Sequence, residues 1–127
     1  MQQRCILCAD PDPELRSNLG FLLAGENCVL EEAAGGATLL TQLRRSTDLV
    51  ILPQQLPDMS GFDACTALRR QSAAPVLFLL EKADESARTL SFSVGGDDCL
   101  EKPVSCHELA VRVKAVSYTH LTLPTNR

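Results

Sequence analysis

A chain of 127 residues, 45% apolar and 22% charged, is long enough for one domain with its own hydrophobic core. Its formal charge of −4 disfavours a direct nucleic-acid interface, which needs a basic face. No apolar run approaches the roughly 20 residues of a membrane helix, and no signal peptide is recognisable, so the expectation is a cytoplasmic protein without a membrane role.

The first apolar run, Cys5 to Ala9, predicts a strand. Asp12-Pro13 reads as an N-cap followed by proline at the first helical position, and Leu15, Leu19, Leu22 and Leu23 form the stripe of a first helix. Cys28 to Leu30 predicts a second strand, and Leu39, Leu40 and Leu43 a second helix. Leu49 to Leu52 predicts a third strand, and Ser60 caps a third helix carrying Phe62, Ala64, Cys65 and Leu68. Val76 to Leu80 is a fourth strand. Asp84 caps a fourth helix with Ala87, Leu90 and Val94, which Gly95-Gly96 can end. Cys99-Leu100 is a weaker fifth strand. Ser105 and Glu108 have capping-box spacing ahead of a last helix with Leu109, Val111, Val113 and Val116.

That helix is expected to stop early. Residues 117–127 hold β-branched residues and a proline with no helical stripe, and read as a linker or non-native tail after a domain spanning 1–116. Runs that are apolar throughout suit parallel strands covered on both faces. Five such βα units, joined by right-handed crossovers, predict an α/β fold with its functional site at the carboxyl ends of the strands.

Six cysteines (Cys5, Cys8, Cys28, Cys65, Cys99 and Cys106) mostly sit in apolar runs, and in a reducing compartment they are expected as free thiols. Cys5 and Cys8 have CxxC spacing, but on a strand that spacing sends the side chains to opposite faces, against a shared metal.

Several segments, in this order and spacing, resemble the receiver domains of bacterial response regulators over roughly residues 4–116. They are Cys5-Ile-Leu-Cys-Ala-Asp10, Asp48-Leu-Val-Ile-Leu52, Leu56-Pro-Asp-Met-Ser-Gly61, Pro75-Val-Leu-Phe-Leu79, Val94-Gly-Gly-Asp-Asp98 and Lys102-Pro103. The resemblance implies a flavodoxin-like (βα)5 three-layer sandwich with strand order 2-1-3-4-5. In that family two adjacent acids after the first strand help hold Mg²⁺, and an Asp ending the third strand accepts the phosphoryl group. A Thr or Ser ends the fourth strand, an aromatic lies on the fifth, and a Lys precedes a proline that is usually cis.

Set on that pattern, the first acid is Asp10, but the second is Pro11 and the phosphoacceptor is Pro53. The hydroxyl position is Leu80, the aromatic position Cys99, and the lysine Lys102. The resemblance therefore implies a degenerate phosphorylation pocket in which Asp10 and Lys102 alone remain, free to pair with each other. Proline supplies no carboxylate nucleophile. Asp10 and the Gln55 carbonyl are a poor oxygen set for Mg²⁺, so no cofactor is expected. Asp48 and Asp58 are expected to be structural, Asp58 through local backbone bonding in its turn.

In receivers joined to winged-helix domains, the face of the fourth helix, fifth strand and fifth helix forms a symmetric dimer. The matching positions carry Arg88, Phe92, Asp98, Glu108, Val111 and Arg112, whose signs permit Arg88–Glu108 and Asp98–Arg112 pairs between subunits. The charges also suit a plain solvated helix surface. His107 and His120 have no phosphorelay pattern.

The expected function is a non-enzymatic, phosphorylation-independent signalling receiver acting through protein or dimer contacts, with a histidine kinase or an output domain of the full chain as partner. The alternative is a phosphorelay receiver still phosphorylated with Mg²⁺ on another carboxylate, Asp10 or Asp12. A flavodoxin-like enzyme would need a phosphate-cradling loop where Asp10-Pro-Asp-Pro13 stands.

Overall fold

The computed structural model describes residues 3–122. Strands and helices alternate as β1 (Arg4–Cys8), α1 (Pro13–Ala24), β2 (Cys28–Glu32), α2 (Gly36–Gln42), β3 (Thr47–Pro53), α3 (Gly61–Leu68), β4 (Val76–Leu80), α4 (Glu85–Ser93), β5 (Asp98–Glu101) and α5 (Cys106–Thr122). The five strands are parallel and ordered β2-β1-β3-β4-β5.

Strand alternation divides the core into two layers. Leu7, Val50, Leu52, Phe78 and Leu80 join Leu39, Ala64 and Leu68 of α2 and α3 on one face of the sheet. Ile6, Cys8, Leu49, Ile51, Leu77 and Leu79 join Leu19 and Leu23 of α1 and Leu109 and Val113 of α5 on the other. Every residue of β4 is buried, which is why its run is apolar without alternation. Helices on both faces complete the flavodoxin-like three-layer sandwich.

The helix caps sit in the loops at the carboxyl ends of the strands. Asp12 accepts from the Glu14 amide at 3.0 Å, Ser60 from Asp63 at 3.0 Å, Asp84 from Ala87 at 2.8 Å and Ser105 from Glu108 at 3.0 Å. Each such cap stabilises by about 1 kcal/mol. Together they fix where four βα loops leave the sheet, and those loops frame the candidate site.

The opposite end is held by Arg69, which the sequence does not single out. Its guanidinium donates to the Ala74 carbonyl at 2.7 Å and the Gly95 carbonyl at 2.6 Å, and meets Asp97 Oδ2 at 3.2 Å. It ties the end of α3 to the turn between α4 and β5, where Gly95 has φ +108°, a conformation that favours glycine.

Two expectations need correction. α5 does not stop at 116 but runs to Thr122. Helical hydrogen bonding needs no apolar stripe. β-Branched residues cost only a few tenths of a kcal/mol each, and neither glycine nor proline lies between Cys106 and Thr122. The remainder of the expected tail, 123–127, lies outside the described residues. Asp48 lies within β3 rather than ahead of it, and its Oδ2 accepts the Cys5 amide at 2.8 Å.

Candidate functional site at the carboxyl ends of the strands

Parallel pairing brings the ends of β1, β3, β4 and β5 to one edge of the sheet. Asp10, two residues past β1, is completely buried. Its Oδ2 accepts from Lys102 Nζ at 3.0 Å and its Oδ1 from the Asp12 amide at 3.0 Å. Lys102 follows β5 directly. Its amide donates to the Leu80 carbonyl at 2.8 Å, and its peptide bond to Pro103 is cis. Glu81 Oε2 stands farther off, 4.0 Å from the ammonium. Arg16 Nη1 donates to the Asp10 carbonyl at 3.0 Å and its Nε reaches Glu32 Oε1 at 3.3 Å, so the loop after β1 is held from both sides.

Pro53 is the buried last residue of β3 and pairs with Leu79. Beyond it, the Gln54 amide donates to the Leu79 carbonyl at 3.1 Å, and Gln54 Oε1 accepts from the Glu81 amide at 2.9 Å. The ends of β3 and β4 are thereby zipped past the strands. Leu80 and Cys99 belong to the apolar layer beneath α2 and α3, and Pro11 is exposed. Of the residues singled out from the sequence, Asp10 and Lys102 are in direct contact. Gln55 bridges to Ser60, and its side-chain amide donates to the Leu56 carbonyl at 3.1 Å.

The response regulator receiver domain family matches residues 6–114. This chain belongs to that family. The receiver is 39% identical over 116 residues to the DNA-binding response regulator MtrA of Mycolicibacterium smegmatis, covering 91% of this chain and 50% of that protein. It is 35% identical over 111 residues to a CpxR homolog, a transcriptional regulatory protein of Haemophilus influenzae, covering 87% and 49%. The crystal structure of a putative response regulator from Chloroflexus aurantiacus aligns with a TM-score of 0.81 at 29% identity, covering 92% of this chain and 99% of that one. The receiver spans about half the length of the curated relatives it matches. No helix among the described residues is long and apolar enough to cross a membrane.

The dimer candidates lie on α4 (Arg88, Phe92), β5 (Asp98) and α5 (Glu108, Val111, Arg112), with Phe92 49% and Val111 59% exposed. One of the candidate pairs also forms within a single chain. Arg112 Nη1 meets Asp98 Oδ2 at 2.6 Å within the receiver itself, because α5 passes beside β5 and the guanidinium reaches the nearest carboxylate. The cysteines are free thiols, and burial pushes the Cys8 thiol up to about 12, which keeps it protonated and unreactive.

The Asp58 carboxylate bonds outside its own turn rather than within it. Its Oδ1 and Oδ2 accept from the Gly36 and Ala37 amides at 2.8 and 3.0 Å, so the loop after β3 caps α2 from 22 residues away in sequence. The one hint was indirect: α2 opens on Gly35-Gly36 and has no capping side chain of its own. The Ala37 and Gly36 amides hold the Asp58 carboxyl below its ordinary value of 3.8. A depressed folded value gives stability that is present above the unfolded value and lost as pH falls through the folded one. Asp58→Ala is therefore expected to destabilise the receiver at neutral pH, with the gap to wild type narrowing below pH 3.8. Denaturant melts across that range check this, and a gap constant with pH would contradict it.

Proposed function

We propose that this receiver is a phosphorylation-independent module of a longer signalling protein, acting through protein contacts rather than through an aspartyl phosphate. The observation that carries the reading is Pro53 at the carboxyl end of β3, where the family resemblance puts the phosphoacceptor, beside an Asp10–Lys102 pair closed at 3.0 Å. A carboxylate nucleophile is missing at that place, and the buried carboxylate that remains is already neutralised. Asp12 caps α1 instead of facing Asp10 as a second ligand.

The residues present do not fit Mg²⁺. Both oxygens of Asp10 are occupied, by Lys102 and by the Asp12 amide, and a divalent ion takes several oxygen ligands. Lys102 supplies locally the positive charge that an ion would bring. Leu80 and Cys99, packed in the core, offer no hydroxyl to a phosphoryl group and no swinging aromatic.

The partners proposed are a histidine kinase or an output domain in the full-length chain, and a second copy through α4, β5 and α5. Relatives about twice as long, named as DNA-binding or transcriptional regulators, support the output domain. Intact-mass measurement after incubation with acetyl phosphate and Mg²⁺ tests the reading, with Pro53→Asp alongside. No adduct is expected on the natural sequence. An adduct confined to the variant would tie the loss to Pro53, whereas a labile adduct on the natural chain would overturn the proposal.

A further inference from the structure

We infer that the cleft between α3 and α4 is a docking groove for a basic amphipathic helix of a partner protein; this rests on the receiver acting through protein contacts. The cleft has a volume of about 800 Å³, with Phe62 of α3 and Ala87 and Leu90 of α4 among its lining residues. Phe62 packs against the core ring of Phe78, with centroids 5.3 Å apart, which anchors this side of the cleft to the core. Leu90 is 44% exposed. Within α4 Ser91 is the one fully buried residue, so the helix keeps apolar surface on the outside.

The charge at the mouth selects the partner. Glu81, Asp84 and Glu85 line it against one cation, Lys82. Capping Ala87 leaves Asp84 its negative charge, and Glu81 is only distantly matched by Lys102 at 4.0 Å. An apolar wall under an acidic rim is complementary to an apolar stripe flanked by Lys or Arg. A helix suits it better than a strand. β4 is paired on both sides by β3 and β5, so no free strand edge opens into the cleft.

The groove is separate from the candidate dimer face. At about 100° per residue, Ser86, Leu90 and Ser93 fall on one side of α4, and Arg88 and Phe92 on the other. The groove therefore remains open in a dimer built on α4, β5 and α5.

The probe is a fluorescein-labelled helical peptide of Leu and Lys, about 14 residues or four turns long, titrated by anisotropy and mapped by amide chemical shifts. Saturable binding is expected, with shifts confined to α3, α4 and the loop between β4 and α4. Leu90→Ser is expected to weaken it about tenfold or more, the effect of losing one central apolar anchor. Glu81→Gln with Glu85→Gln is expected to weaken it and flatten its salt dependence. These positions are exposed, so each variant is expected to fold, and circular dichroism checks that it does. Shifts elsewhere on the surface, unchanged affinity in both variants, or equal binding of a Leu/Glu peptide would overturn the groove. So would a peptide-free self-association that Leu90→Ser abolishes, which would assign the cleft to a second copy. Failure here is distinct from failure of the proposed function. A phosphoryl adduct on the natural chain removes that reading whatever the peptide does, and a failed titration without an adduct removes only the groove.

Discussion

Lys102→Ala is expected to lower the unfolding free energy by about 3–5 kcal/mol, the usual cost of removing one partner of a buried ion pair. Asp10 is completely buried, and its Oδ2 meets Lys102 Nζ at 3.0 Å. Alanine strands that oxygen, while Oδ1 keeps the Asp12 amide. The loss is an uncompensated charge more than a missing attraction, so neutralising the other partner should rescue it. The double variant Asp10→Asn with Lys102→Met retains an acceptor for the Asp12 amide, and is expected to recover more than half of the lost stability. Urea denaturation of the three proteins decides the matter. A loss under about 1 kcal/mol in Lys102→Ala would mean that the pair behaves as an exposed one, and the account of a self-neutralised site would fail with it.

Gly61→Ala should be nearly as damaging, by about 3 kcal/mol or more, at the upper end of what overpacking costs. Gly61 opens α3, and its amide donates to the Gln54 carbonyl at 2.8 Å. A Cβ there would fall on the Pro53 carbonyl oxygen, far inside van der Waals contact, and within 3.4 Å of the Gln54 carbonyl carbon. The obstacle is backbone, so no rotamer change relieves it. The turn that places Pro53 would have to open. Gly25→Ala is the matched control. Nothing lies within 4 Å of a Cβ at Gly25 and its φ is −73°, so alanine there is expected to stabilise by about 0.4–1 kcal/mol through the unfolded state. Equal effects of the two substitutions would show that steric crowding at the end of β3 is not what requires glycine.

The outcome at each element follows from how local its causes are. Strand runs such as Val76 to Leu80 and caps such as Ser60 and Asp84 carry their information within a few residues, and the structure places them as read. The Asp10–Lys102 contact joins residues 92 positions apart, and it was reached through a family resemblance rather than from periodicity. The α2 amides that Asp58 caps and the carbonyls that Arg69 holds are backbone groups, which every residue has, and the one side-chain partner, Asp97, lies 28 positions from Arg69, so no local side-chain pattern marks either contact. The end of α5 was misread because the absence of an apolar stripe reports what a helix packs against, not whether its backbone bonds continue.

By itself the sequence determined the alternation of strands and helices, the parallel sheet they imply and the identity of the side chains at the strand ends. These depend on propensity, capping and apolar runs, all short in range. Tertiary structure alone decided that Asp10 is sealed from solvent, that Asp58 caps a helix belonging to another unit, that Arg112 meets Asp98 within one chain, and that Leu90 borders an open cleft. Burial and partnership are properties of the folded neighbourhood, and a carboxylate's charge is matched by whatever group packing carries to it.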